Sequence, residues 1–216
     1  MRRPQKGLSL IELVATLFVV SVLLSIGVPQ FSQFISNNRM AASINEANIA
    51  LHLARTEAIK RNSFVSICPS PDWDAIDPSC DPNASFAEGW IVFIDADGDG
   101  VPNLSIDGGN GDMVLQSHQA INEAMDLRVG DANGIINSPQ FIVFAPTGYP
   151  MQELNGNNAI FNLQLCDDRG VKDTGAGISA GRWINIGPTG RPQMHRTQDA
   201  VENQNNPLGG CAYIGS

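Results

Sequence analysis

The feature that most constrains this chain is the stretch Leu8 to Val28, LSLIELVATLFVVSVLLSIGV, which is almost unbroken in its apolar character. Twenty-one residues at a helical rise of ~1.5 Å span ~31 Å, the thickness of a bilayer's hydrocarbon core. Arg2, Arg3 and Lys6 precede the stretch and no basic residue lies within it. That asymmetry keeps the N-terminus cytoplasmic and exports the rest of the chain. A secretory signal peptide would have a shorter apolar core, of ~7–15 residues, with a small-residue cleavage site behind it. Here the run is longer and no such site comes after it.

Inside the run stands a single carboxylate, Glu12. A charged side chain there costs ~2.5 kcal/mol or more on insertion scales, so it marks function rather than anchorage. Its neighbourhood, Lys6-Gly7-Leu8-Ser9-Leu10-Ile11-Glu12-Leu13, closely resembles the prepilin signal of type IV pilins and type II secretion pseudopilins. In those families a basic leader ends in Gly, and the apolar helix behind it carries Glu at its fifth mature position. The resemblance implies cleavage after Gly7 by a prepilin peptidase and N-methylation of Leu8, where the usual residue is Phe. It also gives Glu12 an assembly role and makes Pro29 the helix-kinking proline, one that lacks the amide N–H for a helical bond.

Beyond Pro29, Met40, Ile44, Ala47, Leu51, Ala54 and Ala58 step by fours and threes. This spacing predicts one apolar stripe on an amphipathic helix that runs to Asn62 and packs on a sheet. Short strands are expected at Phe64–Cys68, Trp90–Ile94, Met113–Gln116, Phe141–Phe144, Ile160–Cys166 and Arg182–Ile186, separated by turn-rich stretches. The expected class is α+β, a long N-terminal helix packed on an antiparallel sheet domain. Its expected segments are a leader over 1–7, a membrane helix over 8–28, an amphipathic continuation over 29–62 and a periplasmic β-rich domain over 63–216. The stretches LHLARTEAIKRNSFVSICPS, GWIVFIDADGDG, LCDDRG and WINIGPTGR are similar to the GspH/FimT branch of pseudopilins and minor pilins.

Four cysteines lie beyond the membrane segment: Cys68, Cys80, Cys166 and Cys211. None forms a CxxC pair and no histidine stands at ligand spacing, which argues against zinc. An even count on the exported side reads as two disulfides. Of the three connectivities open to them, Cys68–Cys80 with Cys166–Cys211 is favoured.

Other patterns carry less. Gly177-Ile-Ser179-Ala-Gly181 matches a hydrolase elbow, but a loop precedes it and a strand comes after it, the reverse of what that motif needs. Asp95, Asp97 and Asp99 resemble the start of a calcium loop, yet position twelve is Ile106 rather than Glu. A polar turn is expected there, with Asp107 or Asp112 as further ligands if an ion is held; no cofactor is expected. Arg182, Arg191 and Arg196 are the only concentration of positive charge near the C-terminus. Some minor pilins of this branch are implicated in DNA uptake through a Gly-Arg-x-Arg turn. Here the turn reads Gly190-Arg191-Pro192-Gln193, without the second cation. After Val28 the chain carries 10 basic and 21 acidic residues, a balance of −11 that repels phosphate backbones.

The resemblance therefore implies a non-catalytic subunit of an inner-membrane-derived filament, acting in type IV pilus assembly. Its implied partners are other pilins or pseudopilins through the N-terminal helix, the prepilin peptidase and an inner-membrane assembly platform. A type II secretion pseudopilin of the H type is the alternative, and a DNA-binding minor pilin for transformation a further one.

Overall fold

The computed structural model describes residues 9–81, 83–100, 111–137, 141–154 and 157–211. The chain forms two compact units, residues 1–39 and 40–216. A 52-residue helix, α1 (Leu10–Arg61), contributes to both.

From residue 13 to 28 α1 is apolar on every side, and the large apolar side chains of the first unit are exposed, from Leu10 (80%) to Phe34 (61%). By length and composition the helix can cross a membrane. The hydroxyls of Thr16, Ser21 and Ser25 each donate to the carbonyl three residues back, so none of them needs water. Pro29 lies inside the helix.

In the second unit α1 buries the stripe read from the sequence, Met40, Ile44, Ala47, Leu51, Ala54 and Ala58, and adds Ala50. Small residues at these positions bring the helix backbone close to its packing partners. The helix stops at Asn62, whose φ of 53° is left-handed, a region Asn tolerates. Ser63 then donates its N–H to the Ala58 carbonyl at 3.3 Å, satisfying one of the last free acceptors.

Among the described residues ten strands come next in chain order: β1 (Phe64–Pro69), β2 (Trp90–Asp95), β3 (Met113–His118), β4 (Met125–Gly130), β5 (Ile142–Phe144), β6 (Glu153–Leu154), β7 (Asn157–Asn158), β8 (Asn162–Asp167), β9 (Ile178–Ile186) and β10 (Pro192–Thr197). They make two four-stranded antiparallel sheets, ordered β3-β2-β1-β5 and β10-β9-β8-β4, and a two-stranded ladder of β6 and β7. A 3₁₀ turn, Phe86–Glu88, precedes β2, and a short helix, α2 (Gln198–Val201), succeeds β10.

Both large sheets turn one face to a shared core with α1. The first supplies Val65, Ile67, Trp90, Val92, Ile142 and Phe144; the second supplies Leu127, Val129, Leu163, Leu165, Ile184 and Ile186. Behind β1 and β2, Cys68, Ile91 and Phe93 pack with Cys80 and Val114 in a separate cluster. Burial on both faces is why β2 reads as an apolar run rather than an alternation. His118 stacks flat on Trp90, with ring centres 3.8 Å apart, and meets the Glu46 carboxylate of α1 at 2.9 Å. This contact ties β3 to the helix.

The sequence echo at 145–150 and 187–192 has a structural outcome. Each is a tight turn in which the glycine N–H donates back three residues, Gly148 to Ala145 and Gly190 to Gly187. Both glycines have positive φ, 77° and 75°. The two turns also touch: a Cβ on Gly190 would collide with the Gly148 carbonyl oxygen. Arg55 of α1 donates its Nε to that same oxygen at 3.2 Å. Repeated turn chemistry thus clamps both loops to one point on the helix.

Four strands lie outside the expected set: β4, β10 and the two-residue β6 and β7. β4, MDLRVG, includes a charge pair and a terminal glycine; β10, PQMHRT, opens on proline and is mostly polar. Both are edge strands, where the apolar signal is weakest.

Candidate functional site

Within the apolar span of α1, Glu12 is the one charged side chain. It lies in the first turn of α1, where the helix dipole favours a negative charge. Its N–H and that of Leu13 donate to the Ser9 carbonyl at 3.0 and 3.1 Å. Residues 8–28 hold no Lys, Arg or His. Among the described residues no cation or hydrogen-bond donor meets the Glu12 carboxylate. The three hydroxyls of Thr16, Ser21 and Ser25 are bonded within the helix, so this carboxylate alone calls for a partner from elsewhere. Gly7 and Leu8, the expected cleavage and methylation positions, lie outside the described residues.

The four cysteines are joined as Cys68–Cys80 and Cys166–Cys211, closing separations of 12 and 45 residues. The first bond pins the loop between β1 and β2. The second pins the C-terminal strap, residues 198–211, across β8 and β9. Glu202 helps: its Oε1 accepts from the Ser179 hydroxyl at 3.0 Å and its Oε2 from the Cys211 N–H at 2.9 Å. Ser179 is fully buried on β9, hydrogen-bonded to a carboxylate rather than a histidine. This is a structural serine, without the exposed turn of a nucleophile elbow.

Asp95, Asp97 and Asp99 do converge, each offering one oxygen within 4.8 Å of the others. Asp95 is fully buried at the end of β2. Its Oδ1 accepts from the N–H groups of Gly98 (2.7 Å) and Asp99 (3.1 Å). Its Oδ2 accepts from the Ser66 hydroxyl (2.5 Å) and the Gly100 N–H (2.9 Å). Four bonds use the four lone-pair sites of a carboxylate, so Asp95 already serves the turn. Burial pushes its carboxyl above the ordinary value, with the charge of Asp112 adding to the effect. The hydrogen bonds from Ser66, Gly100 and Gly98 oppose that shift.

In the fold Asp95 therefore keeps its proton to higher pH than in the unfolded chain. Its contribution to stability is present below the unfolded pKa and is lost as pH rises through the folded one. Thermal melts of wild type and Asp95→Asn are expected to diverge in the wild type's favour as pH falls from about 6 to about 4. Calcium at about 1 mM is expected to shift the wild-type Tm by less than about 2 °C. A large calcium shift abolished by Asp97→Ala would show instead that the turn is a cation site.

The three arginines differ in burial. Arg182 is buried, and its guanidinium donates to the carbonyls of Ser179 and Gly181 (2.7 Å). Burial lowers its pKa, and the charges of Arg169 and Arg196 lower it further. Arg191 and Arg196 are exposed.

Comparison with known proteins agrees with these features. The family model for "Type II transport protein GspH" matches residues 43–190, and the prokaryotic N-terminal methylation motif matches residues 2–28. No curated protein sequence matches the chain significantly. Among solved structures, the Pseudomonas aeruginosa type IV minor pilin FimU is 18% identical, with a TM-score of 0.44 over 75% of this chain and 92% of that one. The minor pseudopilin EpsH of the Vibrio cholerae type 2 secretion system is 11% identical, with a TM-score of 0.42 over 73% of this chain and 97% of that one. With the family model covering well over half of its length and the methylation motif at its N-terminus, the chain belongs to the GspH family of minor pilins and pseudopilins.

Proposed function

We propose that this chain is a minor subunit of a helical filament built from the inner membrane, and that it helps start or shape a type IV pilus. The observation that carries this is Glu12, a carboxylate without a partner among the described residues, on a helix whose large apolar side chains are bare along residues 10–34. Such a helix suits two environments, a bilayer and a bundle of like helices, and only the second can bring a cation to Glu12. Cleavage after Gly7 by a prepilin peptidase supplies that cation as the new α-amine of Leu8. The basic leader keeps the N-terminus cytoplasmic and puts the disulfide-bonded unit in the oxidising periplasm. Pro29, with no N–H to give the helix, marks where the segment would bend on packing.

The match to a type II transport family favours a second reading, a pseudopilin of a type II secretion system. Deleting the gene separates the two. The expected result is loss of surface filaments with exoprotein secretion unchanged. Intact filaments with exoproteins retained in the periplasm would assign the subunit to secretion instead. A DNA-uptake role gains nothing from the geometry, because Arg182 is buried and two exposed arginines face a balance of −11.

A further inference from the structure

A groove opens on the outer face of the β10-β9-β8-β4 sheet, away from the shared core. Its floor is the cross-strand pair Asn162 and Asn185 with Trp183 beside them, and its rim includes Gln152 on one side and Gln204 and Asn205 of the C-terminal strap on the other. Its volume is about 650 Å³, within the ~300–1,000 Å³ usual for ligand sites. The Cys166–Cys211 disulfide and Glu202 hold the strap that forms the second wall.

The lining carries no charge, although the chain has a net charge of −9. Five of the lining residues carry carboxamides, two carry aromatic rings and three are prolines; none is Asp, Glu, Lys, Arg or His. The floor is preorganised. Asn162 donates its Nδ2 to the Asp131 carbonyl at 2.9 Å. Its Oδ1 accepts from Trp183 Nε1 at 3.1 Å and from Asn185 Nδ2 at 2.9 Å. These bonds fix which end of each amide faces which way and leave the Asn185 Oδ1 as an oriented acceptor. The side chains of Gln152, Gln204 and Asn205 are exposed at the rim and make no hydrogen bond among the described residues.

We infer that this groove binds a neutral oligosaccharide. Without a charge in the lining, recognition of an ionic ligand would leave that ligand's charge uncompensated. Each carboxamide offers both donors and an acceptor, which matches hydroxyl groups that also do both. Phe161 and the prolines provide flat apolar surfaces suited to the C–H faces of sugar rings. A peptide strand is disfavoured because the floor is a sheet face rather than an edge. The backbone there is already bonded, Ile186 N–H to Phe161 O at 2.7 Å and Phe161 N–H to Gly130 O at 2.9 Å, so no strand can be added.

The test uses the full chain in lipid nanodiscs, free of sugar-headed detergent, titrated calorimetrically with maltotriose, cellotriose and tri-N-acetylchitotriose. At least one is expected to bind in the millimolar range or better, with an affinity that does not change between low and high salt. Asn185→Ala and Gln204→Ala are each expected to weaken it by about tenfold or more. Gln204 is exposed, so its variant folds as the wild type does, which circular dichroism checks. A proline-rich decapeptide serves as the competing probe. Binding of that peptide without any saccharide would overturn the assignment. So would the absence of all binding, or a saccharide affinity indifferent to both substitutions.

Discussion

Glu12→Ala is expected to yield a chain that inserts, is processed and folds, yet is nearly absent from filaments. The insertion step becomes easier, since removing the carboxylate lifts a cost of ~2.5 kcal/mol or more. The second unit, residues 40–216, holds its own core and both disulfides, so its fold does not depend on residue 12. On the proposed reading the loss falls on the pairing of the acid with an α-amine inside the helix bundle. Breaking a buried pair by removing one partner strands the other charge and costs ~3 kcal/mol or more, about a hundredfold in population. Comparing sheared-filament and membrane fractions for the two proteins reads this ratio. Equal incorporation would make Glu12 a tolerated interfacial charge.

The second large effect concerns the C-terminal strap. Replacing Cys166 and Cys211 together with serine opens a 45-residue loop, which the chain-entropy model values at about 4 kcal/mol. Both residues are fully buried, and at Cys211 the Gln164 amide (3.5 Å) and the Leu165 carbonyl (3.9 Å) are at hand for a serine hydroxyl, so the loss comes chiefly from the opened loop. For a chain of this size the expected fall in Tm is about 8–16 °C. The Cys68–Cys80 bond closes a separation of only 12 residues and is worth about 3 kcal/mol, so opening it gives a smaller fall. Thermal melts of the two double variants test the order. A larger loss from the 68–80 pair would mean that the strap is held mainly by Glu202 and packing.

Much of this architecture was legible because it rests on periodicity and covalent arithmetic. The stripe from Met40 to Ala58 announces itself at helical spacing, and β2 announces itself as a run of large apolar residues. The disulfide pairing agrees with the favoured connectivity. The features hidden in the sequence are long-range ones. The division into two sheets depends on where β4 pairs, and β4 bonds to β8 across more than thirty residues of chain. The meeting of the turns at Gly148 and Gly190 depends on Arg55, far from both in sequence. The carboxamide floor is invisible for the same reason: Asn162, Trp183 and Asn185 look like ordinary alternating strand residues until the register aligns them. Arg182 shows the opposite failure, a cation that reads as surface charge and lies buried on backbone carbonyls.

On the proposed reading, entry of this chain into a filament rests on one covalent event, the creation of a free amine beside Glu12. Intact-mass and N-terminal peptide mass spectrometry of the protein extracted from membranes of a host with an active prepilin peptidase measures it directly. The predicted result is a chain that begins at Leu8 with an N-methyl group. Recovery of the full Met1–Gly7 leader from those membranes would contradict a pilin-type assembly at its root.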